Sequence, residues 1–259
     1  MKTTVVRSAI LGLVFFWPAV LSADWPQLMH DAARTGRSPD NPPIVNPQVR
    51  WSWRPYNAAN YTLAVDSSSN GGYRYSGFPS IGGRVQPIVM SSIVVIGTLT
   101  NMVYALDANT GAELWSRAVG GPVAHSAAVA LNIAVVPCTD MKLYAFNLQT
   151  GATVWILNGD GGFYTAPAIE HGRVYASCSD GRVYCADLMT GTLVWRSTPA
   201  AMPIACCVCV GGGRVYVGSE DMYARAYDAT TGAELWRLKL SGESFAWWWP
   251  TYANETVVF

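Results

Sequence analysis

The chain is poor in charge. Of 259 residues, 13% are Asp, Glu, Lys or Arg, about half the usual share. Acids and bases balance at 17 each, so the basic excess of a nucleic-acid binder is missing. A disordered chain would be charge-rich and aromatic-poor, whereas 12% of this one is aromatic and 51% apolar, ample for a packed core. Only three histidines are present, His30, His125 and His171, scattered without zinc spacing. Gly211-Gly-Gly213 lacks the Lys-Ser/Thr of a phosphate loop. Beyond the N-terminus no apolar run reaches the length of a membrane span. Apolar residues at helical spacing are also absent, because Gly-containing turns interrupt every segment long enough to hold them.

What is present begins with an export signature. Lys2 and Arg7 precede the apolar run Ala9 to Trp17, which Pro18 breaks, and the small residues Ala19, Ser22 and Ala23 follow. That order reads as a cleavable signal peptide over residues 1–23. Cleavage after Ala23 or Ser22 is expected. No lipid-attachment Cys follows, so the mature chain is expected free in the periplasm or secreted. Removing Lys2 and Arg7 leaves 15 bases against 17 acids, a net charge of −2. Asn60-Tyr-Thr62 and Asn254-Glu-Thr256 fit glycosylation sequons.

A repeat of about forty residues dominates the rest. Four thirteen-residue segments align without gaps: Val103 to Trp115, Leu143 to Trp155, Val183 to Trp195 and Ala224 to Trp236. Each holds a Thr-Gly pair, ending at Gly111, Gly151, Gly191 and Gly232, four residues before its Trp. Each unit reads as short antiparallel strands. In the third, Arg173 to Ser177 is one strand, Asp180-Gly181 the hairpin, Val183 to Asp187 the return and Thr192 to Trp195 the next strand, with a fourth near Tyr164 to Ile169. Four short strands at this period predict an all-β propeller of four-stranded antiparallel blades. Such a blade cannot cover its own faces, and Trp115, Trp155, Trp195 and Trp236 are expected to seal the seams, each indole N–H finding a carbonyl. Asp107, Asn147, Asp187 and Asp228 are expected to bond local backbone at the turns.

The pattern Ala-x-Asp-x-x-Thr-Gly-x-x-x-Trp resembles the tryptophan-docking motif of pyrroloquinoline-quinone (PQQ)-like repeat proteins. Cys185 replaces its Ala in the third unit and Asn147 its Asp in the second. Asp24-Trp-Pro-Gln-Leu-Met-His-Asp-Ala-Ala-Arg-Thr-Gly-Arg-Ser-Pro39 with Trp51-Ser-Trp53 is similar to the mature N-terminus of that superfamily. It includes quinoprotein alcohol dehydrogenases and non-catalytic scaffolds of outer-membrane barrel assembly. The expected organisation is a lead and loop over residues 24–85 and blades over 86–259, four complete and a fifth beginning near Trp249-Pro250. Family rings have about seven or eight blades, so the resemblance implies an incomplete ring.

In the dehydrogenases the quinone lies on the propeller axis beside Ca²⁺, with a Trp stacked on it, and the resemblance points to three places where that could be echoed. Cys206-Cys207 stands where a vicinal disulfide could lie against a cofactor, or is a strand using Cys as a small apolar residue. Glu220 and Arg225 correspond to a metal-ligand Glu and nearby Arg, or form a plain hairpin tip. Trp247 in Trp247-Trp-Trp249 corresponds to the stacking platform, or packs, since successive strand residues alternate faces. Cys138 and Cys178 occupy equivalent places in adjacent units and read as packing positions. Two functions follow: an exported binding or scaffold propeller taking a protein or small ligand with no assured cofactor, or part of a PQQ- and Ca²⁺-dependent dehydrogenase of alcohols or sugars.

Overall fold

A computed structural model describes residues 26–29, 31–34, 49–53, 81, 84–240 and 249–259, and the backbone of 63–65 and 73–75. Strands β1 (Leu63–Val65) and β2 (Tyr73–Tyr75) form a hairpin. Four antiparallel four-stranded blades follow. Blade 1 is β3 (Ile88–Met90), β4 (Ile93–Gly97), β5 (Met102–Asp107) and β6 (Glu113–Ala118). Blade 2 is β7 (Ala128–Ala130), β8 (Ile133–Cys138), β9 (Lys142–Asn147) and β10 (Thr153–Asn158). Blade 3 is β11 (Ala168–Glu170), β12 (Arg173–Ser177), β13 (Val183–Asp187) and β14 (Leu193–Arg196). Blade 4 is β15 (Cys209–Gly211), β16 (Arg214–Gly218), β17 (Tyr223–Asp228) and β18 (Glu234–Lys239). A two-stranded unit, β19 (Thr251–Ala253) and β20 (Thr256–Val258), comes next. The fold is an all-β propeller with consecutive first strands β3, β7, β11, β15 and β19 side by side around the axis.

The sequence expectation for blade 3 meets the structure strand for strand, except that its first strand is shorter, Ala168–Glu170, and its last begins at Leu193. The two middle strands of each blade are buried on both faces. Val135, Val136, Leu143 and Ala145 of blade 2 are at most 1% exposed, which explains why their sequences read as apolar runs rather than alternating patterns. The outermost strands alternate less simply. In each, the residue before the Trp is skipped by the ladder: Ala105 faces Trp115 while Leu106 faces Glu113, and the same shift recurs in blades 2, 3 and 4. In blades 1, 2 and 3 the Trp beside the bulge is buried in the seam, and in all four blades Leu114, Val154, Val194 and Leu235 are more than 40% exposed. Bulges also bend an outer edge away from flat pairing with another strand.

Candidate functional site

The seams are built from the turn upward. Asp107 Oδ1 accepts hydrogen bonds from Thr110 N (2.8 Å), Asn109 N (2.9 Å) and Thr110 Oγ1 (2.9 Å). The neutral Asn147 repeats the arrangement with Thr150 and Gln149 at 3.0–3.1 Å, so the turn requires an acceptor rather than a charge. Where the acceptor is Asp, hydrogen bonds from the following Thr hold its carboxyl below the ordinary range, as at Asp107, Asp187 and Asp228. The Asx turn delivers the chain to a Gly with positive φ, 67° at Gly151. That Gly is the floor for an indole from the preceding blade. Trp115 lies on Gly151 and donates Nε1–H to Leu148 O at 2.8 Å. Trp155 lies on Gly191 and donates to Leu188 O at 2.8 Å, and Trp195 lies on Gly232 and donates to Ala229 O at 3.1 Å. Arg117 braces the first of these seams, donating to Gly151 O at 2.7 Å and Thr150 O at 3.0 Å.

The sequence reading assigns one seam Trp to each blade, and the structure differs at both ends. Trp51 lies on Gly111 and donates to Ala108 O at 2.9 Å, so the lead supplies the tryptophan that blade 1 receives. Trp236 is 37% exposed, where its counterparts are 6–8% exposed, and meets Tyr216 and the Phe259 ring instead of a Gly turn. The signal for Trp51 was its place in a Trp-x-Trp pair, without a Thr-Gly turn of its own to mark it.

Among the described residues singled out for quinone chemistry, Arg225, Cys206 and Cys207 have partners in the framework. Trp247 lies outside the described residues. Arg225, only 4% exposed, pairs with Asp221, not Glu220, using both Nη1 and Nη2, and also bonds Ser219. Burial alone would raise the Asp221 carboxyl, but the hydrogen bonds from Arg225 and Ser219 prevail and hold it at about 2. Glu220 is half-buried, and its backbone N–H donates to Pro203 O at 3.0 Å. The Arg225–Asp221 pair has a structural counterpart in the neighbouring blades. Tyr144 donates to Asp140 and Tyr184 to Asp180, each four residues apart, and each phenol oxygen accepts a loop amide, from Gly120 and Asp160 respectively. In blade 4 the corresponding amide, Ala201 N–H, goes to Asp221 Oδ2 at 3.3 Å. Arg225 is thus blade 4's version of a tip lock.

Cys206 and Cys207 are unbridged, as are Cys138, Cys178, Cys185 and Cys209. The vicinal pair points to opposite faces. Cys206 packs with Val208 and Val210 in the seam core, and its sulfur bonds Gly218 O and N–H at 2.9 Å. Burial pushes its thiol up to about 12. Cys207 packs with Leu28 and Ala166 on the axial side, its sulfur 3.4 Å from His125 Nε2. Sequence reasoning missed this contact, since the two residues are 82 apart and no spacing signals it. His125 Nδ1 accepts from Ser126 N–H at 2.9 Å, which places the proton of the neutral ring on Nε2, toward the sulfur. Burial, then the charges of Arg34 and Arg84, depress the imidazole to about 3, and burial raises the Cys207 thiol despite Arg34. The pair is therefore neutral thiol and neutral imidazole, a poor match to a nucleophilic thiolate–imidazolium couple. Among the described residues no group of three or more His, Cys, Asp or Glu side chains could hold a metal ion, and no helix is long and apolar enough to cross a membrane.

Comparison with known proteins agrees with this architecture. No curated protein matches the chain. The solved structure of BamB from Moraxella catarrhalis is 28% identical, with a TM-score of 0.52 over 58% of this chain and 47% of that one. The chain therefore matches about half of that protein's length. The computationally designed protein Ika8 has a TM-score of 0.60 at 20% identity, covering 66% of this chain and 53% of its own. The designed Ika4 has a TM-score of 0.50 at 20% identity, covering 54% of this chain and 87% of its own. Both designs speak to the fold alone. A PQQ-like repeat family model, described as outer membrane protein assembly factor BamB, matches residues 52–203 and 179–259. With most of its length so matched, the chain belongs to this BamB-like family of PQQ-repeat propellers.

Proposed function

We propose that the chain is an exported binding and scaffold propeller that holds a protein partner in outer-membrane protein assembly, and that it carries no redox chemistry of its own. One observation carries the reading: three of the described groups that a quinone site would use are committed to the framework. Arg225 is locked on Asp221, Cys206 bonds Gly218, and Cys207 faces a neutral His125 beneath the lead segment. Family membership supports the same reading, because the matched family is described by an assembly role. Export is supported by the signal-like residues 1–23.

The test has two arms. Folding of an outer-membrane β-barrel protein into lipid vesicles is followed with and without the purified chain, and a changed folding rate or yield is expected. In parallel the chain is titrated with PQQ and Ca²⁺, following Trp fluorescence, and assayed for dye-linked alcohol oxidation. Saturable quinone binding with turnover, and no effect on barrel folding, would overturn the proposal in favour of a quinoprotein dehydrogenase.

A further inference from the structure

The innermost strand of each blade is an edge. It pairs outward with the second strand, so the N–H of its middle residue faces the axis with no ladder partner. Four such amides stand at equivalent places: Val129 in the middle of β7, Ile169 in β11, Val210 in β15 and Tyr252 in β19. One short segment of the lead satisfies all four. Val129 N–H donates to Pro26 O at 2.6 Å, Val210 N–H to Ala32 O at 2.8 Å and Tyr252 N–H to Ala33 O at 2.9 Å. Ile169 N–H donates to Gln27 Oε1 at 2.9 Å, and Gln27 Nε2 donates back to Ile169 O at 3.2 Å, so the side-chain amide imitates a strand neighbour.

Arg34 fixes the far end of this segment. It is fully buried, with φ 61°. Its guanidinium donates to Leu28 O (2.7 Å) within the lead, to Val208 O (3.0 Å) on the approach to β15, and to Ala166 O (3.3 Å) and Pro167 O (3.0 Å) on the approach to β11. A buried guanidinium fits only if carbonyls or carboxylates are already placed around its planar fork. This socket draws on three separate parts of the chain and exists only when all three are assembled.

We propose that residues 26–29 and 31–34 act as an axle: a strap pinned by Arg34 that seats as one unit and joins the first strands of blades 2, 3 and 4 and the β19–β20 unit into a single cooperative body. The seams join each blade only to its neighbour, whereas the strap spans four first strands at once. It also closes this end of the axis, so a ligand entering at the depth of these amides has to displace the strap.

Hydrogen exchange on the full chain tests this at single amides. In Arg34→Met, the amides of Val129, Ile169, Val210 and Tyr252 should all lose protection by a similar factor, at least about tenfold. The Trp155 amide in the outer strand of blade 2 should keep its protection. Val129 decides the matter, because the Arg34 guanidinium bonds nothing in its strand, whereas Arg34 O accepts from Thr251 Oγ1 beside Tyr252 at 3.5 Å. Protection kept at Val129, or lost at none of the four, would overturn the axle. If Arg34→Met also exposes the Trp155 amide, the whole chain has loosened and Gln27→Ala decides instead. That variant deletes only the bonds to Ile169. Loss spreading to Val129, Val210 and Tyr252 supports a unit, and loss confined to Ile169 overturns it.

Discussion

The indole of Trp115 in blade 1 rests on Gly151 of blade 2 so closely that a Cβ on that glycine would lie 2.6 Å from the ring. Two constraints coincide there. The φ of 67° places Gly151 in the left-handed region, and the floor of the seam has no room for a methyl group. Gly172 separates the two effects, since its φ is 73° but nothing lies within 4 Å of the same methyl position. Gly172→Ala should cost about 1 kcal/mol from backbone conformation alone. Gly151→Ala should cost about 3 kcal/mol, because overpacking is added. Urea midpoints of the two variants check this, and equal losses would show that the indole yields freely.

The tryptophans are expected to divide by position along the arc. Trp155 is 7% exposed and bonds Leu188 O, whereas Trp236 is 37% exposed on an outer strand whose residues are all exposed. Trp155→Ala should lose about 3–5 kcal/mol, the range for emptying a buried aromatic site. Trp236→Ala should lose no more than about 1–2 kcal/mol, since less apolar surface leaves water there. Trp51→Ala should resemble the first more than the second, because its indole sits on Gly111 as Trp155 sits on Gly191. Chemical unfolding of the three variants measures the order.

Much of this seam was legible because it is local and repeated. Asp or Asn, Thr, Gly and Trp fall within nine residues in each unit, so a single pattern shows both the turn and the docking residue. The bulges had a signal as well. Leu114-Trp, Val154-Trp, Val194-Trp and Leu235-Trp are adjacent apolar pairs that a regular strand would point to opposite faces. The axial contacts had none. Arg34 meets Val208, and Cys207 meets His125, only because the propeller closes distant segments onto one axis. No local propensity encodes such a meeting, and the sequence left Cys206-Cys207 open between a vicinal disulfide and small apolar packing residues, where the fold puts the two unbridged sulfurs on opposite faces.

Burial of neutral His125 should make stability depend on pH. Its imidazole titrates near 3 in the folded chain and near 6.5 when unfolded. Between those values the unfolded state binds the extra proton, so stability rises with pH through the window and falls on acidification below about 6.5. Moving from pH 7 to pH 5 should remove about 2 kcal/mol through this group. Asp107, Asp187, Asp221 and Asp228, held below the ordinary carboxylate range, titrate below that window. His125→Gln should be less stable at pH 7 but should lose most of the dependence between pH 7 and 5. An unchanged slope of urea midpoint against pH would show that the imidazole is not held neutral.

The tip lock of blade 4 offers a substitution that the protein has already made elsewhere. Arg225 and Asp221 are 4% and 8% exposed, and removing Asp221 leaves the buried guanidinium a looser ion pair with Glu234 at 3.8 Å. Asp221→Ala should therefore cost about 3–5 kcal/mol, with the Ala201 amide losing its acceptor as well. Blades 2 and 3 hold the same place with Tyr144 on Asp140 and Tyr184 on Asp180, each phenol also accepting the loop amide. Arg225→Tyr should let a phenol donate to Asp221 and accept from Ala201, costing about 1 kcal/mol or less, whereas Arg225→Met removes the carboxylate's charged donor, leaving Ser219 and the Tyr223 and Ala201 amides, and should cost distinctly more. Asp221 should also lose its strong acidity in Arg225→Met, and its carboxyl pKa, read by NMR titration, should rise from about 2. Equal stabilities for the Tyr and Met variants would mean that the lock in blade 4 is packing alone, and that the repeat tolerates Arg225 for reasons unrelated to hydrogen bonding.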